Sequence, residues 1–266
     1  MSLHWPFGIR QGGMRARLIF ALDVSSVKEA MDLVDRLSRD VGLFKVGKQL
    51  FLHAGPQIVQ QIREHGGEVF LDLKFHDIPR TVAKAAVEAT RMGVRMFDVH
   101  ASGSLEMMQR TIAEVSKVCR GEGLRRPKML AVTVLTSLNR DDLKRVGVMS
   151  GVENQVVRLA CLAKEAGMDG VVASPQEIAP IRKECGRGFL IVTPGVRLRG
   201  DTWEDQKRVM TPEAAIRAGA DYLVIGQPIR EAADPVVAAR EIVAAMERGL
   251  SSPERRGRPA VEPPQP

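Results

Sequence analysis

The 266 residues are enough for one large α/β domain or two small ones with a sizeable buried core. A hydrophobic share of 44% is ordinary for a globular chain, and no apolar run approaches the length of a membrane-spanning helix. The formal charge of +7 does not describe a nucleic-acid binder. Arg10, Arg15 and Arg17 put +3 on residues 1–17, the tail 251–266 adds +1, and +3 remains on 18–250. That remainder has no basic stripe and no aromatic platform, and it suits an anionic small molecule. Cys119, Cys161 and Cys185 are odd in number and widely spaced, which fits a reducing compartment and gives neither a disulfide framework nor a zinc spacing. With no charged-then-apolar signal layout near Met1, the cytoplasm is the expected location.

Residues 1–16 are expected to be a leader or mobile arm, and the proline-rich stretch 250–266 a disordered tail. Between them, 17–23 predicts a first strand, after which Ser25 caps an amphipathic helix over 28–39. A second strand over 43–47 is followed by a helix over 56–65, stopped by Gly66-Gly67. The apolar run from Glu68 leads into Asp72 as the third strand, with a helix over 81–92. The fourth strand, 96–102, precedes a helix over 104–119. After the fifth, 129–136, come a short helix over 141–146 and a longer one over 153–166. Strands over 170–174, 189–193 and 222–226 complete the set, with helices over 175–184, 212–218 and 235–247. A polar stretch over 197–209 precedes the helix over 212–218 and predicts a lid, with Trp203 in it.

Eight strand–helix units over 17–249, each strand apolar nearly throughout, predict a single (β/α)8 TIM barrel; an open doubly wound sheet is the alternative. In a barrel the chemistry sits where strands end. The polar residues at those ends are Asp23, Lys45, Asp72, Lys74, Asp98, His100, Thr136, Ser174 and Arg197. The densest stretch is Asp72-Leu-Lys-Phe-His-Asp-Ile-Pro79. Asp72 and Lys74 lie two apart and project the same way, and Asp77 follows in the turn. Two carboxylates bracketing an amine are costly to build for stability alone, although a surface ion-pair cluster is the plain alternative. His100 reads as a structural histidine, His76 as a brace for the turn, and Asp98 as a group that orients Lys74 or His100. No lysine motif or metal-ligand cluster announces a cofactor, so none is expected, and no metal.

Taken in order, Ala-Leu-Asp23, Lys45-Val-Gly, Asp72-Leu-Lys-Phe-His-Asp-Ile-Pro79, Leu-Thr-Ser137, Pro194-Gly-Val-Arg197, Asp205-Gln206 and Ile-Gly226 resemble the orotidine 5'-phosphate decarboxylase family, over residues 17–248. The resemblance implies cofactor-free decarboxylation of orotidine 5'-phosphate (OMP) to UMP, the last step of pyrimidine nucleotide synthesis. It makes Lys74 the acid that protonates C6. Asp72 would face the substrate carboxylate, and Lys45 would link the array to Asp23 and the ribose hydroxyls. Asp77, with Thr81, would reach the neighbouring subunit's site, which implies a homodimer. Thr136 and Ser137 would meet the pyrimidine edge, and Gln206 would bridge base and phosphate. Pro194, Arg197, Gly226 and Gln227 complete the expected substrate contacts.

One position departs from the family pattern. Arginine usually follows the glycine of Ile-Gly226, and here Gln227 does, with no charge and no bidentate fork. Weaker phosphate affinity is expected unless Arg230, Arg199 or Lys207 reaches in. The magnesium-dependent sugar-phosphate decarboxylases and hexulose-phosphate synthases share the Asp-x-Lys-x-x-Asp pattern but are expected to carry an acid where Lys45 stands. A catalytically silent phosphate-binding barrel would be expected to lack Lys74 or Asp72.

Overall fold

A computed structural model describes residues 13–196 and 210–251. Its eight strands are β1 (Leu18–Ala21), β2 (Leu43–Gly47), β3 (Val69–Phe75), β4 (Met96–His100), β5 (Lys128–Val132), β6 (Gly170–Val172), β7 (Leu190–Thr193) and β8 (Tyr222–Ile225). All neighbours pair in parallel, and β8 returns to β1 to close the barrel. The open doubly wound sheet is thereby excluded.

Alternation along each strand sorts the side chains into two apolar layers. Ile19, Leu43, Phe70, Met96, Leu130, Val192 and Val224 pack inside the barrel. Phe20, Phe44, Leu71, Phe97 and Val99 point outward and are covered by the helices. The strands are therefore buried on both faces, which explains their continuous apolar character.

The helices are α1 (Val27–Leu37), α2 (Lys48–Ala54), α3 (Gln57–Glu64), α4 (Pro79–Arg91), α5 (Leu105–Glu122), α6 (Arg140–Arg145), α7 (Val152–Ala166), α8 (Ile178–Cys185), α9 (Pro212–Ala218), α10 (Gln227–Arg230) and α11 (Pro235–Ser251). Ser26, not the expected Ser25, caps α1: its extended backbone lets the hydroxyl accept the Glu29 N–H at 3.2 Å. α4 starts at Pro79, two residues earlier than expected, with proline in its first turn. α2 and α10 are additions to the sequence reading. Each starts directly where a strand ends, with no loop composition to announce it.

The folded body begins inside the expected 1–16 arm. Gly13–Arg17 form a 3-10 turn with Met14 and Arg17 buried. Arg17 donates to the carbonyls of Asp221 and Ala220, each at 2.6 Å, and so ties β1 to the start of β8. Asp169 and Asp221 make similar clamps at the same, N-terminal end of the barrel, with Arg126 and Arg182 respectively. That end serves stability and leaves the opposite mouth for chemistry.

Candidate active site

The inward positions of the barrel turn from apolar to charged one layer before the C-terminal mouth. Lys45 follows Leu43, Asp72 follows Phe70 and Asp98 follows Met96 on the inner faces of β2, β3 and β4. Lys74 comes next on β3, at an irregularity. The register pairs Leu71 with Phe97 but Phe75 with Val99, so four residues of β3 advance against two of β4. At this bulge Lys74 has φ +53°, a left-handed backbone rare for a residue with a Cβ.

The charged groups form a chain of contacts. Lys45 Nζ lies 2.9 Å from Asp23 Oδ1 and 3.4 Å from Asp72 Oδ2. Lys74 Nζ donates to Asp72 Oδ1. Lys45 and Asp72 are nearly enclosed, their side chains 11% and 12% exposed, whereas Asp23 opens to solvent. Burial alone would lower the Lys45 pKa, but the charges of Asp72 and Asp23 outweigh it and hold the ammonium above its ordinary value. Burial would likewise raise Asp72, and Lys45, a hydrogen bond with Asp98, and Lys74 together keep its carboxylate below the usual range. Lys45 and Lys74 therefore share one stable anion.

Two connected hollows adjoin this array. An inner cavity of about 170 Å³ is lined by Lys45, Asp72, Lys74, Thr136 and Pro194 together with apolar residues of β5, β6 and β8. An outer one of about 290 Å³ adds Asp23, Gly47 and Lys48. A larger groove of about 850 Å³ lies between α4 and α5 on the outer surface, away from every strand end. It is a helix–helix furrow lined by charged side chains of both signs, and none of the expected site residues lines it.

The other expected site residues are placed as follows. Thr136 reaches the inner cavity, while Ser137 lines a separate hollow with Asn139 and Gln176. Asp77 and Thr81 are exposed at the entrance to α4, and Asp77 Oδ1 accepts the N–H of Ile78 at 2.6 Å. Gly226 sits so close to β1 that a Cβ there would stand 3.2 Å from Ala21 Cβ and 3.6 Å from Asp23 Oδ2. Gln227 donates to Glu231 Oε2 at 2.9 Å. Arg230, one turn along α10, donates to the Asp23 carbonyl at 2.5 Å and meets Glu231 Oε1 at 3.0 Å. Arg197 and Gln206 lie outside the described residues, as do Arg199, Trp203, Lys207 and the expected lid.

Asp98 is buried, and its Oδ1 accepts the backbone N–H of Lys74 at 2.8 Å, the orienting contact expected of it. The His100 ring packs on His76, with centroids 5.1 Å apart. Burial first, then His76, Lys74 and Lys48, lower the His100 pKa to about 4, so at neutral pH it is an uncharged packing group. Lys48 was missed by the sequence reading because α2 was missed. Its spacing of three from Lys45 was the available signal.

The sequence profile of a family described as orotidine 5'-phosphate decarboxylase / HUMPS matches residues 16–242. A Geotalea daltonii protein named orotidine 5'-phosphate decarboxylase is 55% identical over 235 residues, which cover 88% of this chain and 98% of that protein. A protein of the same name from Syntrophotalea carbinolica is 57% identical over 89% of this chain and 97% of its own length. Among solved structures, the orotidine 5'-phosphate decarboxylase of Lactobacillus acidophilus superposes with a TM-score of 0.77 at 33% identity, over 86% of this chain and 98% of that one.

Proposed function

The chain belongs to the orotidine 5'-phosphate decarboxylase / HUMPS family, and from that premise we propose that Lys45, Asp72 and Lys74 carry its reaction. The activity is the conversion of OMP to UMP and carbon dioxide, a carbon–carbon lyase step of pyrimidine nucleotide synthesis. The observation that carries the assignment is the enclosed ammonium–carboxylate–ammonium array beside a cavity at the barrel mouth.

In the reaction the bond from C6 to the carboxylate breaks, its electron pair stays on C6, and a proton must arrive there. Lys74 supplies that proton from Nζ and is reprotonated from solvent. The substrate carboxylate approaches the Asp72 anion, which repels it in the ground state and ceases to do so as neutral carbon dioxide departs. Both ammoniums favour negative charge growing at C6. Lys45 holds Asp72 ionised and passes the contact chain on to Asp23, the group we assign to the ribose hydroxyls. Enzymes lower barriers by about 8–23 kcal/mol, more than one ion pair supplies, so binding of the remote phosphate must contribute.

The phosphate end lies by the loops after β7 and β8, where barrels commonly bind phosphate. Pro194, Gly226, Gln227 and, from the residues not described, Arg197 and Gln206 are assigned to it with Thr136 and Ser137 at the base. Arg230 supplies a guanidinium on the same turn as the uncharged Gln227. The exposed Asp77 and Thr81 flank Ile78, itself 65% exposed, and this outward-facing apolar side chain between polar ones supports a homodimer in which they complete the partner's site. No helix among the described residues is long and apolar enough to cross a membrane. The scattered thiols support the cytoplasm as the working compartment. Lysine at position 45 places an ammonium against Asp72 where the magnesium-dependent reading needs an acid, so that reading is not favoured.

Purified protein incubated with OMP and EDTA should lower the absorbance on the long-wavelength side of the pyrimidine band as UMP forms, and Lys74→Ala should not. Absence of turnover from folded wild-type protein, or persistence in Lys74→Ala, would sink the assignment.

A further inference from the structure

Asp98 has no part in the bond-making steps, yet it is the most deeply buried charged-type side chain next to them, fully enclosed on the inner face of β4. Its two oxygens face different tasks. Oδ1 accepts the backbone N–H of Lys74 at 2.8 Å. That N–H needs such an acceptor, because the bulge between Leu71 and Phe75 takes it out of the regular ladder with β4. Oδ2 finds no hydrogen-bond donor among the described residues. The Asp98 side chain adjoins the Asp72 carboxyl on the inner face of the neighbouring strand, near enough for that charge to act on it. Two buried anions could not share that contact, and one of them must hold the proton. Asp72 is committed as the anion by Lys45 and Lys74.

We infer that Asp98 is a neutral carboxylic acid that positions Lys74, its carbonyl oxygen fixing the left-handed backbone at Lys74 while its hydroxyl donates to Asp72. Burial, followed by the charge of Asp72, pushes the Asp98 pKa in the required direction, well above the usual carboxylate range. The Lys74 ammonium is then held from both ends. Its backbone is anchored by Asp98 Oδ1 and its Nζ by Asp72, whose own orientation is set by the Asp98 hydroxyl. This inference rests on the reading of Lys74 as the acid for C6, since misplacing any other group would not matter in the same way.

Asparagine is the discriminating substitution, because it keeps a carbonyl acceptor and an N–H donor in the same shape but cannot ionise. Asp98→Asn should retain kcat within about threefold, whereas Asp98→Ala, which loses both contacts, should lose kcat by about 10²-fold with KM nearly unchanged. The infrared spectrum of the wild type at neutral pH should contain a carboxylic-acid C=O stretch that is absent from Asp98→Asn. The inference is overturned if that band is missing, if Asp98→Asn is as impaired as Asp98→Ala, or if Asp98→Ala turns over like the wild type. The infrared result does not depend on activity. Turnover by Lys74→Ala would therefore remove the reading of Lys74 while leaving the protonation of Asp98 separately decided.

Discussion

Gln227 and Arg230 stand three residues apart on the single turn of α10, and only one of them is charged. Glu231 binds both, through a hydrogen bond at 2.9 Å and an ion pair at 3.0 Å. The pair is exposed at the Glu231 end, where such contacts are worth little and yield readily to a dianion. Arg230 also holds the Asp23 carbonyl and is thereby aimed across the β1–β8 seam. If it supplies the phosphate charge, Arg230→Ala should lower kcat/KM for OMP about tenfold, the equivalent of losing a charge-assisted bond of roughly 1–2 kcal/mol. Gln227→Arg should raise kcat/KM by a comparable factor. Steady-state kinetics on the two variants decide the matter, and an unchanged Arg230→Ala would return the role to residues of the 197–209 stretch. The sequence alone raised this question by the missing arginine. It could not show that Arg230 reaches the Asp23 carbonyl, because that depends on α10, a four-residue helix too short to leave a periodic signal.

The strands were the most legible elements, since burial on both faces writes an uninterrupted apolar run that terminates where the mouth begins. Their ends were less so. The fifth was expected to continue to Thr136, but pairing stops at Val132 and the rest of the run lines the cavity as a turn. The third was expected to end near Asp72 but continues through Lys74 to Phe75. No residue type announces the bulge there, because it depends on Asp98, a residue of the next strand that accepts the displaced N–H. Gly170, in the three-residue β6, shows the reverse case of a strand residue whose type is dictated by a neighbour. A Cβ there would lie 2.3 Å from the Leu190 carbonyl oxygen, and backbone in a closed barrel cannot retreat. Gly170→Ala should cost roughly 1–3 kcal/mol of stability, as overpacking generally does. A lower urea midpoint with an unchanged slope would register it. An unaltered midpoint would mean that β6 and β7 can separate locally.

At the scale of the whole molecule, closure of eight strands brings together residues from positions 23 to 230 that no local pattern links. The array Lys45–Asp72–Lys74–Asp23 was legible in advance because strand ends in a barrel share one mouth, so membership could be read from chain order. What a single chain does not contain is the destination of Asp77. It is exposed, its carboxylate accepts the N–H of Ile78 within its own turn, and it stands beside the outward-facing side chain of Ile78. If Asp77 is to serve catalysis from there, symmetry must carry it into a second mouth, because a two-fold axis presents the same patch to both subunits. Subunits bearing Lys74→Ala and subunits bearing Asp77→Ala should then each form nearly inactive homodimers. Mixed and re-equilibrated in equal amounts, they should regain about a quarter of wild-type activity, since half of the dimers are hybrids and each hybrid has one site spared both substitutions. If Asp77 served its own subunit's site, every site in the mixture would carry one lesion and no activity would return. Complementation thus measures subunit sharing directly, and it does so without requiring either variant to be altered in fold.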